Sequence, residues 1–145
     1  MSIRRIVLGI DGSPATLEAV AWTADLAARL GVPVVAVHAF NPLDHLDEIS
    51  PGVDFGAVRD SLMDTEMPIW TAALTSADVD VTVLVVDDAP AAAILGAAAH
   101  TGADLIVLGA RRLGLVKRVA LGSTSQQVLK DATVPVVVIH PTDQG

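Results

Sequence analysis

Five short runs of valine, isoleucine and leucine, each long enough for one strand, restrict the fold of this chain more than any other feature. They are Ile3–Ile10, Val32–Phe40, Val79–Val86, Leu105–Leu108 and Val134–His140. Near-continuous apolar runs of this kind are typical of strands buried on both faces of a parallel sheet. Parallel neighbours need long crossover connections, usually helical.

Helical spacing of apolar residues is found in the stretches between these runs. Ser13 and Pro14 are a good N-cap and first residue for a helix that Gly31 should end. A weaker pattern covers Ala57–Ala77, where Pro68 should kink or split the helix. Further helices are predicted over Pro90–His100 and over Ser123–Asp131, the latter with Val128 and Leu129 facing inward. Residues 1–145 are therefore predicted to be one α/β domain, a three-layer α/β/α sandwich.

The bulk composition excludes several classes of function. A formal net charge of −8 argues against nucleic acid or an anionic membrane surface as a partner, because both would repel the chain. The absence of cysteine excludes a disulfide framework and a thiolate metal site. The apolar runs Ile6–Ile10 and Ala89–Ala99 are too short for a signal peptide core and a membrane span. We therefore predict a cytoplasmic protein that contacts neither nucleic acid nor membrane.

The stretch after the fourth strand has the features of an anion site. Gly109 ends the strand and Gly122 precedes the next helix, whose first turn would leave unbonded N–H groups and the positive end of a dipole. Glycine and serine before a helix also serve ordinary capping. However, four of the nine Lys and Arg residues lie within eight positions of this acidic chain, which favours an anion nearby. The candidate anion-binding residues are the basic Arg111, Arg112, Lys117 and Arg118 and the hydroxyl-bearing Ser123, Thr124 and Ser125.

The end of the first strand offers a second wall for such a site. In open α/β sheets, ligands bind at the carboxyl ends of strands, where the strand order reverses. Asp11 and Gly12 follow the first strand, as Gly109 follows the fourth. If these two strands are neighbours, the acidic turn and the Gly/Ser segment line one crevice.

The sequence resembles the universal stress protein family over essentially its whole length. The matching segments are IVLGIDGSP, VVAVHAF, ADLIVLGAR and LGSTSQQVLKDATVPVVVIHP. The nucleotide signature of that family is Gly-x2-Gly-x9-Gly-Ser/Thr. Here Gly109 and Gly122-Ser123 match in identity and spacing, but Arg112 stands where the second glycine is expected.

The resemblance implies a fold, a ligand and an assembly. The fold would be adenine nucleotide alpha hydrolase-like, with a five-stranded parallel sheet in the order 3-2-1-4-5. In a nucleotide-binding member, Asp11 would lie near the ribose or adenine and His38 and Ala39 would border the adenine. Gly109 would approach the phosphates, and the segment 122–125 would hold them. A homodimer would form by pairing of Val134–His140.

Arg112 leaves two functions open. Its guanidinium can bind a phosphate oxygen, which would keep binding of ATP or another adenine nucleotide in a dimeric stress-response regulator or sensor. Alternatively, it fills the space that glycine would leave, and the chain acts as a dimeric interaction scaffold without a nucleotide.

Enzymatic functions have less support in the sequence. No catalytic residue or resident metal site is predicted, since no nucleophile elbow, triad or pair of catalytic carboxylates is found. Leu115 stands where a P-loop needs lysine. Slow ATP hydrolysis stays open, and Asp11 with bound ATP could hold Mg²⁺, although one carboxylate gives this weak support.

Overall fold

A parallel five-stranded sheet forms the centre of the protein, in a computed structural model that describes residues 2–40, 54–112 and 119–141. The strands are β1 (Ile6–Gly9), β2 (Val34–Ala39), β3 (Val81–Val86), β4 (Leu105–Gly109), the two-residue β5 (Arg111–Arg112) and β6 (Val119–Ala120), and β7 (Val136–Ile139). The helices are α1 (Pro14–Leu30), α2 (Phe55–Ser61), α3 (Met67–Trp70), α4 (Ala72–Ser76), α5 (Pro90–Thr101) and α6 (Ser123–Asp131).

The strand order of the main sheet is β3-β2-β1-β4-β7, and every neighbouring pair is parallel. This confirms the predicted order 3-2-1-4-5, with β7 as the fifth strand. Ile6 of β1 lies opposite Val34 of β2 on one side and Leu105 of β4 on the other. The chain runs outward from β1 to β3 and then returns to β4 beside β1. The strand order therefore reverses between β1 and β4, and a ligand crevice is expected at the carboxyl ends of these two strands.

Two apolar layers cover the two faces of the sheet, because successive strand residues point to opposite sides. Ile6 and Leu8 pack in one layer with helix α1 and with Met67 of α3. Val7 belongs to the other layer, where α5 and Val128 of α6 cover the sheet. This arrangement confirms the predicted three-layer sandwich.

The helix predicted over Ala57–Ala77 is divided into α2, a π turn (Leu62–Glu66), α3 and α4. Pro68 lies in the first turn of α3 and has no N–H to donate to the preceding turn. The adjoining π turn instead carries a bond from the Met67 N–H to the Leu62 carbonyl. The predicted interruption near Pro68 is thus confirmed as a split of the helix, with a widened π turn directly before α3.

Two local features differ from the sequence prediction. The segment between β4 and α6, predicted as a loop, begins and ends in an antiparallel pair of strands that joins Arg111 to Ala120 and Arg112 to Val119. In α6, Val128 is fully buried as predicted, but Leu129 is 43% exposed, so the prediction for Leu129 was wrong. The irregular, acidic stretch Asn41–Phe55 is predicted from the sequence to be the longest loop, and residues 41–53 of it lie outside the described residues, as do residues 113–118.

Candidate functional site

A cavity of about 260 Å³ lies at the carboxyl ends of β1, β2 and β4, where the strand order reverses. The first turns of α5 and α6 close its other side. Its walls are formed by Gly9, Ile10, Asp11, Thr16, Val37, His38, Ala39, Pro90, Ile94, Leu108, Gly109, Gly122, Ser123, Thr124 and Ser125. The volume is close to the lower end of small-molecule pockets, about 300–1,000 Å³.

The cavity brings together most of the residues that the sequence singled out. Its lining includes Asp11 from the first strand's turn, His38 and Ala39 from β2, and Gly109 from β4, together with the whole segment 122–125. The predicted meeting of the acidic turn and the Gly/Ser segment is confirmed. Gly12 lies one residue beyond the lining. The side chains of Arg111 and Arg112 fall outside the described part of the chain.

Polar groups of the turn between β1 and α1 hydrogen-bond to one another. One carboxylate oxygen of Asp11 accepts bonds from the Ser13 N–H at 2.9 Å and from the Thr16 hydroxyl at 3.0 Å. The Ser13 hydroxyl in turn accepts from the Thr16 N–H at 3.4 Å and is the N-cap of α1. The start of α1 is therefore closed by side chains, and Pro14 removes one more N–H from it.

The start of α6 has no such closure. Its N-cap residue is Gly122, which has no side chain to accept a bond from the first turn. Gly122 has a φ of −69°, and a Cβ placed on it would meet no atom within 4 Å among those described. Neither its backbone conformation nor packing against the described residues therefore demands glycine here. The N–H groups of Ser123, Thr124 and Ser125 start the helix beside the cavity, in the arrangement that suits an anion.

Gly109 has a different reason to be glycine. A Cβ on Gly109 would lie 2.6 Å from the Ala15 carbonyl oxygen and 3.0 Å from the Thr16 nitrogen, both in the backbone of α1. Real Cβ atoms do not approach backbone this closely. Glycine at this position lets the end of β4 touch the first turn of α1, and it lines the cavity as well.

The opposite part of the cavity is apolar and carries His38. The His38 Nδ1 lies 2.9 Å from the Ile10 carbonyl oxygen, which can only accept, so Nδ1 carries a proton. Val37, Pro90, Ile94 and Leu108 supply carbon surface beside it. The cavity thus has an apolar part near β2 and α5 and a part beside the backbone N–H groups that start α6, which suits a ligand with an apolar portion and an anionic group.

Among the described residues, no group of three His, Cys, Asp or Glu side chains is arranged to hold a metal ion. No described helix has both the length and the hydropathy needed to cross a bilayer.

Comparison with protein families gives a match that covers nearly the whole chain. Residues 2–140 match the model described as the universal stress protein family. The chain belongs to this family. A universal stress protein of Mycobacterium tuberculosis is 36% identical over 136 residues, which are 92% of this chain and 44% of that protein. One from Thermus aquaticus is 35% identical over 138 residues, 94% of this chain and 98% of that protein. The chain thus spans under half the length of the mycobacterial relative.

Solved universal stress proteins share the fold. One in complex with cAMP has a TM-score of 0.68 and 23% identity, over 98% of this chain and 100% of that one. One from Archaeoglobus fulgidus in complex with dAMP also has a TM-score of 0.68, with 19% identity, over 96% and 99%. The adenine nucleotide alpha hydrolase-like fold expected of a universal stress protein is therefore confirmed.

Several lining residues were missed in the sequence. Thr16 follows Ser13 by three positions, the spacing of a reciprocal cap, and this signal could have drawn attention to it. Ile94 is one of two large aliphatic side chains in the alanine-rich α5, and Val37 lies within a β2 run that is apolar on both faces. Nothing in the pattern distinguishes Ile94 or Val37, as wall residues, from the core around them.

Proposed function

We propose that this universal stress protein binds an adenine nucleotide in the cavity between β1 and β4 and acts as a dimeric stress-response regulator or sensor. The α6 N–H groups and Gly122 would hold the phosphate. His38, Ala39 and the apolar wall would border the adenine, and Asp11 would face the ribose or base. Residues 1–145 would form the domain that carries this function.

The observation that carries the proposal is the glycine N-cap of α6 beside the cavity. A helix start that lacks a capping side chain and lies beside a cavity is a favourable position for a phosphate. Gly122 keeps that position free without being required by the backbone. The cAMP and dAMP complexes of structurally similar universal stress proteins support an adenine nucleotide as the ligand class.

A dimer would follow from the position of β7. This strand is at the end of the sheet order, and its side chains from Val136 to Ile139 are all half-buried. An apolar strand at a sheet edge favours pairing with another strand. We propose homodimer formation through Val134–His140, and sedimentation velocity of the purified chain tests it: a monomer at tens of micromolar would contradict it.

The second candidate function keeps the dimer and loses the nucleotide. It is favoured by Arg112, which replaces the second glycine of the family signature. Substitution Arg112→Gly separates the two candidates. If the arginine blocks the cavity, the substitution creates binding that the parent protein lacks; if the parent protein binds, the change in affinity is modest.

The nucleotide proposal is tested by calorimetric titration with ATP, ADP, AMP and cAMP, each with and without Mg²⁺. We expect saturable binding of at least one of them. A Mg²⁺ requirement would bring Asp11 and the phosphates together as ligands, and phosphate release over time would report hydrolysis. The absence of both heat and a shift in melting temperature at millimolar nucleotide would reject the proposal. We propose a cytoplasmic location for this activity, with which a chain without cysteine is compatible.

A further inference from the structure

Trp70 lies directly behind the wall of the cavity. Its ring meets the His38 ring edge-to-face, with centroids 5.2 Å apart and an interplanar angle of 67°. The same indole covers Gly12: a Cβ on Gly12 would lie 2.5 Å from two of its ring carbons. Trp70 is not among the lining residues, but it contacts residues on two sides of the site, the β1–α1 turn and the end of β2.

The π turn before α3 is what directs Trp70 toward the sheet. Leu62 and Met67 both pack against the same core layer, although they are five residues apart. Five residues of a regular α-helix would place them on different faces, whereas the π turn bonds the Met67 N–H to the Leu62 carbonyl and aligns them. Trp70, three residues after Met67, then shares the buried face. Its neighbour Ile69 is 66% exposed.

Gly12 makes the contact with Trp70 possible. Its φ of +78° is a conformation that glycine adopts without strain, and its missing side chain leaves room for the indole. The ring of Trp70 is rigid, so a side chain at position 12 would have to displace it. One indole therefore limits the positions of both the turn after β1 and the imidazole at the end of β2.

We propose that Trp70 is a positioning residue for the base-binding part of the nucleotide site. The Trp70 ring packs on His38 from the side away from the cavity and fixes the position of the imidazole. Trp70 would thereby influence ligand binding without contacting the ligand itself. This inference rests on the proposed function, since it assumes that the base lies beside His38. It assigns Trp70 no part in holding the phosphate, which is the role of the α6 N-terminus.

The affinity test uses Trp70→Leu and Trp70→Phe with AMP and with adenosine as ligands. Trp70→Leu removes the ring contact with His38, and we expect the Kd of both ligands to rise about fivefold to tenfold, the size of one aromatic pair. Trp70→Phe keeps an aromatic edge and should recover most of this loss. Measurements are made at a temperature at which melting curves show each variant folded.

Fluorescence gives a readout that a merely structural role would not change. The chain has two tryptophans, so Trp22→Phe leaves Trp70 as the single emitter and Trp70→Phe leaves Trp22 on α1, 39% exposed, as the matched control. We expect adenosine to change the emission of the Trp22→Phe variant, because the ligand contacts the imidazole on which Trp70 packs. The emission of Trp70→Phe should stay constant.

The outcomes separate this inference from the proposed function. If the parent protein binds AMP but Trp70→Leu binds it equally well, or if Trp70 emission does not respond, the inference is wrong and the proposed function stands. An equal loss in Trp70→Leu and Trp70→Phe would also overturn it, since it would indicate a general packing defect. If the parent protein binds neither AMP nor adenosine, both fail. Should Trp70→Leu not fold, the Phe variant and the emission of Trp22→Phe decide.

Discussion

The helix starts of α1 and α6 face the same cavity and have opposite chemistry. At α1, Ser13 caps the first turn, and Asp11 accepts bonds from both Ser13 and Thr16. At α6, the cap position is Gly122, which has no side chain to accept a bond from the first turn. A helix N-terminus is therefore a candidate anion site only where no side chain caps it.

Gly109, which contacts the first turn of α1, and Gly122, which caps α6, also differ in why they are glycine. Gly109 allows β4 to contact the backbone of α1, so it serves the fold. A Cβ on Gly122 would meet no described atom within 4 Å, so packing among the described residues does not require glycine there. A shared sequence signature thus contains one glycine that stability requires and one that a ligand would require.

The largest effect expected is on stability, at Gly109. Gly109→Ala places a methyl group against the Ala15 carbonyl, and we expect it to lower the free energy of unfolding by about 2–3 kcal/mol through overpacking. The matched change Gly122→Ala enters open space and should cost less than about 1 kcal/mol, the upper range for a poorer N-cap. Urea denaturation of both variants makes the comparison. Equal losses of stability would mean that packing does not distinguish Gly109 from Gly122.

The next effect is on binding, at Gly122. Gly122→Asp supplies a carboxylate that caps α6 and competes with a phosphate for the same N–H groups. We expect the Kd of AMP to rise at least about tenfold, while stability increases by about 0.5 kcal/mol from the cap and the helix dipole. Calorimetric titration and thermal melting measure the two changes.

Gly122→Asn is the control for this substitution. Its side chain has nearly the same shape and also caps a helix, but it carries no charge. It should weaken AMP binding clearly less than Gly122→Asp does. If the two variants bind AMP equally, competition between the carboxylate and the phosphate at α6 is not the cause of the lost affinity. The missing side-chain cap of α6 would then not explain nucleotide binding.

The smallest effect is expected at the capped helix. Ser13→Ala removes a cap bond that is already long, at 3.4 Å, and should lower the free energy of unfolding by about 0.5 kcal/mol. Because α1 is not expected to hold the phosphate, the Kd of AMP should stay within about twofold. A loss of AMP affinity comparable to that of Gly122→Asp would indicate that the phosphate binds at α1 and not at α6.

Sequence reasoning was most successful where long-range order follows from local pattern. The continuous apolar runs predicted the parallel sheet, and the order of strands agreed with the family resemblance. The helix break near Pro68 was predicted because proline removes a donor. The π turn that accommodates it could not be predicted, since it depends on Leu62 and Met67 both reaching one core.

The candidate site was predictable in part for the same reason. Asp11, His38 and the segment 122–125 stand at strand ends and at a helix start, positions that sequence can identify. Trp70 reaches the site from a separate helical segment, and only tertiary packing places its ring on His38 and Gly12. The opposite exposure of Val128 and Leu129 likewise depends on how α6 is rotated on the sheet.

The most direct test follows the backbone amide signals of Ser123, Thr124 and Ser125 by nuclear magnetic resonance while AMP or adenosine is added. If the uncapped start of α6 holds the phosphate, AMP shifts these three signals strongly, and adenosine, which has no phosphate, shifts them far less. Saturation with AMP that leaves the three signals unmoved, or equal shifts with both ligands, would contradict the account.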